Sequence, residues 1–144
     1  MEPFHILDCC LDTDQGCALI VTTVERARSL KHRPVHILAG SIDTGPMSAG
    51  DMWPDLTELY GKYTAPRLFE MAGVTPKDID AVEFYDCFTS IPLCQLEDFG
   101  FVKKGEGGPF VEGVQRIQLG DELPLNTPRW ESFRGVQAEA GPPY

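Results

Sequence analysis

The chain has 144 residues, 42% of them hydrophobic and 24% charged, ordinary proportions for a globular protein with a core. With 22 acidic against 12 basic side chains it carries a formal charge of −10, which argues against a nucleic-acid or anionic-membrane surface, since both call for clustered Lys and Arg. No apolar run approaches the roughly 20 residues of a membrane span, and Met1 to His5 has neither the charged nor the apolar region of a signal peptide.

Asp12, Thr13 and Asp14 are turn formers, and Gly16 to Thr22 after them is a short apolar run rich in β-branched residues. It reads as a strand buried on both faces. Thr23 caps a predicted helix through Glu25 and Ala27 to about Leu30. The basic cluster Arg26, Arg28, Lys31, His32 and Arg33 is either an anion-binding patch or, more simply, a solvated helix end. Pro34 closes that unit, and Val35 to Ala39 reads as a second buried strand, stopped by Gly40. Ser41 to Pro54 reads as a loop long enough to be functional or disordered.

Helical periodicity resumes with Leu56, Leu59, Tyr60 and Tyr63, and starts afresh at Pro66 with Ala65, Leu68, Phe69 and Ala72. Gly73 stands where a helix C′ residue belongs. Thr75-Pro76-Lys77-Asp78 supplies a cap, a proline at N1 and an acidic N3 for one further turn. Ala81 to Tyr85 is the next expected strand. Asp86, Thr89 and Ser90 then offer caps for a helix through Leu93 and Leu96 to Phe99, with Gly100 as its stop. That helix is apolar most of the way round, so it belongs inside the protein. Gly105 to Gly113 reads as a glycine-rich loop without the pattern of a phosphate-binding loop, and Gln115 to Leu119 as an edge strand. The alternation of strands and helices places the fold in the α/β class.

Five cysteines, at positions 9, 10, 17, 87 and 94, include no Cys-x-x-Cys spacing. A zinc site or a disulfide framework is not expected, and a reducing cytoplasm with thiols acting as small hydrophobes fits the pattern. His5, His32 and His36 show no ligand spacing, so no metal is expected.

The run Glu83-Phe84-Tyr85-Asp86-Cys87-Phe88, preceded by Glu70-Met71-Ala72-Gly73-Val74-Thr75-Pro76-Lys77-Asp78-Ile79-Asp80, resembles the thiolase-like superfamily. Thiolases carry Glu-Leu-Asn-Glu-Ala-Phe at this place, and sterol-carrier-protein-type thiolases carry His-Asp-Cys-Phe. The Tyr-Asp-Cys-Phe-Thr version is similar to the lipid-transfer-protein branch that includes steroid side-chain-cleaving aldolases. Asp12 to Leu19 is similar to a thiolase Asn-Asp-Gly-Ala-Ala stretch, and Gly120 to Thr127 to the approach to the family's His-Gly motif. The resemblance covers about residues 4 to 127 and implies part of a layered αβαβα fold, with a mixed sheet and a buried helix. It implies that residues 1–41 end an N-terminal thiolase half, that 42–127 form part of the C-terminal half, and that 128–144 diverge. It also implies an acyl-CoA substrate with coenzyme A as part of it, no other cofactor, a thiolase-fold dimer and a small OB-fold partner that binds acyl-CoA.

Two departures stand out. The nucleophilic cysteine of thiolases belongs to a segment this chain does not include, and Pro128-Arg129-Trp130 replaces the His-Gly-Gly expected after Asn126-Thr127. Trp has the single codon TGG, so CCA CGG TGG followed by a Glu codon reads as His-Gly-Gly when shifted by one base. Residues 128–144 are therefore expected to be an out-of-frame tail, with a natural proline-rich terminus as the alternative. DNA sequencing checks this, and any codon other than CCA at Pro128 or CGG at Arg129 excludes it.

Acyl-CoA chemistry of this kind needs donors for an enolate or oxyanion and an acid or base beside the thioester. Tyr85, ending a strand where a helix begins, is the candidate for moving a proton during carbon–carbon cleavage. Its plainer reading is a core tyrosine bonded to a backbone carbonyl. Asp86 is a candidate for orienting a neighbour or a simple helix cap. Cys87 is a substrate-side packing residue, or a thiol acidified by the helix N-terminus. Met47, Met52 and Trp53 either line an acyl or steroid channel or pack their loop onto the sheet. Two functions remain in view: a fragment of a thiolase-like enzyme of lipid or sterol metabolism, acting by retro-aldol cleavage or by acyl transfer, and a non-catalytic lipid-binding or partner-docking module.

Overall fold

The computed structural model describes residues 4–11, 14, 16, 18–42 and 55–127. Met47, Met52, Trp53 and the whole of 128–144 lie outside the described residues. Four α-helices are described, α1 Val24–Ala27, α2 Gly61–Ala72, α3 Ser90–Asp98 and α4 Gly107–Val111, with 3-10 turns at Ile6–Asp8, Pro76–Asp78 and Glu112–Val114.

Local chemistry accounts for most of the helix ends. Thr23 Oγ1 accepts from the Arg26 N–H at 3.4 Å, although regular helix stops at Ala27 and continues only as a turn to Leu30. The expected break at Pro66 does not occur, because α2 runs through it. Pro66 lies on the exposed face, and it removes only the N–H that would have bonded the carbonyl of Lys62, itself an exposed residue. Gly73 closes α2 at φ 69°, the left-handed conformation that suits glycine. Thr75 donates its N–H and its hydroxyl to Asp78 Oδ2, at 2.8 and 2.6 Å, as the capping pattern predicts. Those bonds hold the Asp78 carboxyl below the ordinary carboxylate range.

The α3 helix stops at Gly100, φ 77°, as expected, but its start is not capped as expected. Thr89 makes no cap bond to the first turn; its hydroxyl instead donates to Asp8 Oδ1 at 2.8 Å, across 81 positions of sequence. Every residue of α3 from Ile91 to Asp98 is buried or half-buried, with Pro92 and Leu96 most enclosed. The glycine-rich stretch is not a loop throughout, since α4 begins at Gly107. Close packing forces this choice of residue: a Cβ at Gly107 would stand 2.8 Å from the Leu93 carbonyl oxygen. Glu97 Oε1 accepts from the Gly107 N–H at 3.0 Å, tying α4 to α3. A similar constraint at Gly61, where a Cβ would stand 2.6 Å from the Phe99 ring, lets α2 approach α3.

The core is small. Val82, Leu96, Phe110 and Leu123 are buried together, with Ile79, Phe84, Phe101, Val102, Ile117 and Leu125 packed around them. Phe69, Phe84, Phe99 and Phe101 add an aromatic cluster, with ring centroids 5.5 to 6.5 Å apart in tilted or edge-on contact.

The expected mixed sheet is not found among the described residues. Backbone pairing is limited to two isolated bridges, Cys9 with Phe88 in antiparallel and Val82 with Leu125 in parallel sense. A strand buried on both faces needs a neighbour along each edge. The segments 18–22 and 35–39 have no backbone bond to any other described residue. Their apolar side chains stand open, Ile20 at 93% and Ile37 at 72% exposure. Gln115 to Leu119 is a turn rather than an edge strand, and keeps only two pairing bonds, from the N–H of Leu123 to the Arg116 carbonyl and from that of Leu125 to the Ile117 carbonyl.

Candidate functional site

The segment from Val82 to Tyr85 leads directly into the turn before α3, and its position is set by the returning segment 123–126. Val82 donates to the Pro124 carbonyl at 2.9 Å, and Asn126 donates from its N–H to the Val82 carbonyl at 3.0 Å. The backbone pairing then stops, and the Asn126 side chain takes over. Its Oδ1 accepts from the Phe84 N–H at 2.6 Å, and its Nδ2 donates to the Phe84 carbonyl at 2.9 Å. One amide thus does the work of the next peptide unit in the ladder. Asn126 adopts φ 48°, a left-handed conformation that asparagine tolerates better than most residues.

Tyr85 follows this clamp immediately, and Gln95 of α3 donates to the Tyr85 carbonyl at 2.9 Å. The backbone is therefore held from both sides while the side chain is 74% exposed. This is not the core tyrosine of the plainer reading. Interaction with Cys87, and more weakly with Cys10, holds the Tyr85 phenol above its ordinary range.

Asp86 is exposed and makes no hydrogen bond to another described residue, so it is not the cap of α3. Cys87 is half-buried. The structure brings Tyr85, Asp86 and Cys87 together on one turn and adds Cys10, whose N–H donates to the Cys87 carbonyl at 3.0 Å. Sequence reasoning missed Asn126, Gln95 and Cys10. The tolerance of asparagine for left-handed backbone was a signal for the first; the other two are reached only through the fold.

Elsewhere, an apolar cleft of about 640 Å³ lies between the two open segments, lined by Leu19, Ile20, Val24, Leu30 and Ile37 among others, with Tyr85 not on its wall. Supporting carboxylates sit around α3. Burial pushes the Asp98 carboxyl up despite the Leu59 N–H that donates to it at 2.6 Å. Burial also raises Glu97, but the N–H groups of Gly107 and Gly105 and the Lys104 ammonium outweigh it and leave that carboxyl lowered. No group of His, Cys, Asp or Glu among the described residues could hold a metal ion. No helix of the described residues is long and apolar enough to cross a membrane.

This segment and the helix behind it lie within a thiolase-like fold, as a family model and a solved structure show. The chain belongs to the thiolase C-terminal domain-like family, whose model matches residues 46–128. It is 40% identical over 131 residues to a 17-hydroxy-3-oxo-4-pregnene-20-carboxyl-CoA lyase of Mycobacterium tuberculosis, covering 88% of this chain and 33% of that protein. A steroid side-chain-cleaving aldolase of Thermomonospora curvata is 36% identical, again over 88% of this chain and 33% of the relative. An acetyl-CoA acetyltransferase of Methanothermobacter thermautotrophicus is 39% identical over 87% of this chain and 32% of its own length. Among solved structures, the Ltp2-ChsH2(DUF35) aldolase superposes with a TM-score of 0.76 at 36% identity, over 88% of this chain and 34% of that one. The chain thus spans about a third of the length of the relatives it matches.

Proposed function

We propose that the chain is part of a thiolase-like acyl-CoA enzyme of lipid metabolism that cleaves a carbon–carbon bond in a CoA-activated side chain. In a retro-aldol step a β-hydroxyl gives its proton to solvent, from which the Tyr85 phenol is afterwards restored, the Cα–Cβ bond breaks, and a carbonyl compound leaves the enolate of the thioester. Tyr85 gives a proton to that enolate. A phenol held above its ordinary range stays protonated at neutral pH, which suits a donor better than a base. Asp86 adds negative charge beside the phenol, and Cys87 packs against the acyl group. Coenzyme A enters as part of the substrate and no resident cofactor is invoked.

The observation that carries this reading is the exposed phenol on a backbone fixed from two sides. Relatives named as a lyase and an aldolase support the cleavage direction. A thiolase-fold dimer and a small OB-fold acyl-CoA-binding partner complete the proposed assembly; the two-part name of the structural neighbour supports a partner protein. The acetyl-CoA acetyltransferase relative favours acyl transfer as the second reading.

Two assays test this. The chain alone, with or without an OB-fold partner, is expected to show no turnover of an acyl-CoA. Saturable binding without turnover in the assembled protein would instead favour the docking module. A chimera carrying residues 4–127 in place of the matching third of the Thermomonospora curvata aldolase is expected to cleave its substrate. In that chimera Tyr85→Phe should lower kcat by about 10²–10⁴-fold, the range of general acid catalysis, with KM little changed. A kcat within twofold of the parent chimera would remove Tyr85 from the mechanism.

A further inference from the structure

The bridge between Cys9 and Phe88 fixes a register that the sequence does not reveal. Its two backbone bonds run from the Cys10 N–H to the Cys87 carbonyl and from the Thr89 N–H to the Asp8 carbonyl, each 3.0 Å. That pattern makes Cys9 and Phe88 the narrow pair and sets Cys10 opposite Cys87, joined by one of the two bonds that a hydrogen-bonded pair exchanges. Directly opposite residues share a face, and a hydrogen-bonded pair holds its Cα atoms about 5.5 Å apart. A disulfide spans roughly 4.4–6.8 Å between Cα atoms. The register has an independent anchor in the bond from Thr89 Oγ1 to Asp8 Oδ1, at 2.8 Å. Both thiols are free, Cys10 is exposed and Cys87 half-buried.

From this juxtaposition we infer that Cys10 and Cys87 form a reversible dithiol–disulfide site beside the Tyr85 phenol, oxidised by a small-molecule disulfide. Cys10, the more open of the two, loses its proton and attacks one sulfur of the oxidant. The oxidant's S–S bond breaks and one equivalent of small thiol leaves, taking up a proton. Cys87 then loses its proton and attacks the Cys10 sulfur of the mixed disulfide, displacing the second small thiol. Two protein thiols are oxidised by two electrons, and one small disulfide is reduced to two thiols. The other described cysteines are less suited. Cys9 lies on the opposite face of the bridge with Phe88, and burial pushes the Cys94 thiol up, away from reactivity. Closing the bridge removes the ionisable Cys87 thiol that holds the Tyr85 phenol above its ordinary range. A regulatory meaning for this rests on the proton-donor role proposed for Tyr85; formation of the bond does not.

The full chain is incubated with oxidised and reduced glutathione at graded ratios, then trapped with a maleimide and digested without reduction. The expected result is one peptide linking Cys10 to Cys87, lost on adding dithiothreitol. Cys87→Ser should stall at a single glutathione adduct on Cys10, and Cys9→Ser should leave the link intact. Linkage of Cys10 to another cysteine overturns the proposal. So does an equal, stable Cys10 adduct in the parent chain and in Cys87→Ser, because no second thiol is then resolving it. A second readout is the ultraviolet titration of the tyrosines, with Tyr85→Phe subtracted. Oxidation should move Tyr85 down toward an ordinary phenol, whereas an unchanged titration with the link formed would sever the site from Tyr85. Neither readout requires turnover, so their failure is distinguishable from failure of the proposed activity.

Discussion

Leu96→Ala should lower the stability of the chain by about 2–5 kcal/mol, the range for truncating a fully enclosed leucine. Leu96 has no exposed surface, and the fully buried cluster around it consists of Val82, Phe110 and Leu123. Val82, Phe110 of α4 and Leu123 come from three separate segments, so a void at Leu96 is not closed by the movement of one of them. The effect should also reach the candidate site. The neighbouring Gln95 fixes the Tyr85 carbonyl, and the Val82 segment that leads to Tyr85 is part of the same cluster. Urea denaturation checks the energy as a lower midpoint at unchanged slope. A loss below about 1 kcal/mol would mean that α3 is not the centre of the core.

Signals that depend on a few adjacent residues were legible in the sequence. Thr75, Pro76 and Asp78 built the turn their order demanded, and Gly73 and Gly100 ended the helices before them. The apolar circumference of α3 correctly placed it inside. The runs at 18–22 and 35–39 misled because hydrophobic pattern reports a wish for cover and not who supplies it. A strand's ladder comes from neighbours that can be remote in sequence, and the chain spans about a third of its relatives. Pro66 misled for a different reason: on an exposed face the missing bond costs little, and the packing of Ala65 before it and Phe69 after it holds α2 together. Tyr85, Asp86 and Cys87 became candidates because the motif is contiguous. Their supports are not, since Asn126 reaches Phe84 across 42 positions and Thr89 reaches Asp8 across 81.

That distance makes Asn126 the most informative position to change. Asn126→Leu should destabilise the chain by about 2–4 kcal/mol, because it strands a half-buried donor and acceptor on Phe84 at roughly 1–3 kcal/mol each, partly recovered by water, and adds the strain of a branched side chain at positive φ. Asn126→Asp separates these contributions. It tolerates the same backbone and keeps an oxygen for the Phe84 N–H, but sets a carboxylate oxygen against the Phe84 carbonyl where an N–H now donates. That repulsion favours the protonated carboxyl in the folded state and raises its pKa above the unfolded value of about 3.9. The sign then follows from linkage: where the folded state binds the proton more tightly, the variant gains stability relative to the parent as pH falls. The deficit should be largest at neutral pH and shrink toward about pH 4, as the carboxyl recovers a donor for the Phe84 oxygen. Parallel melting curves of parent and variant across that range decide it. A deficit independent of pH would show that the amide's second bond is not what holds the backbone before Tyr85.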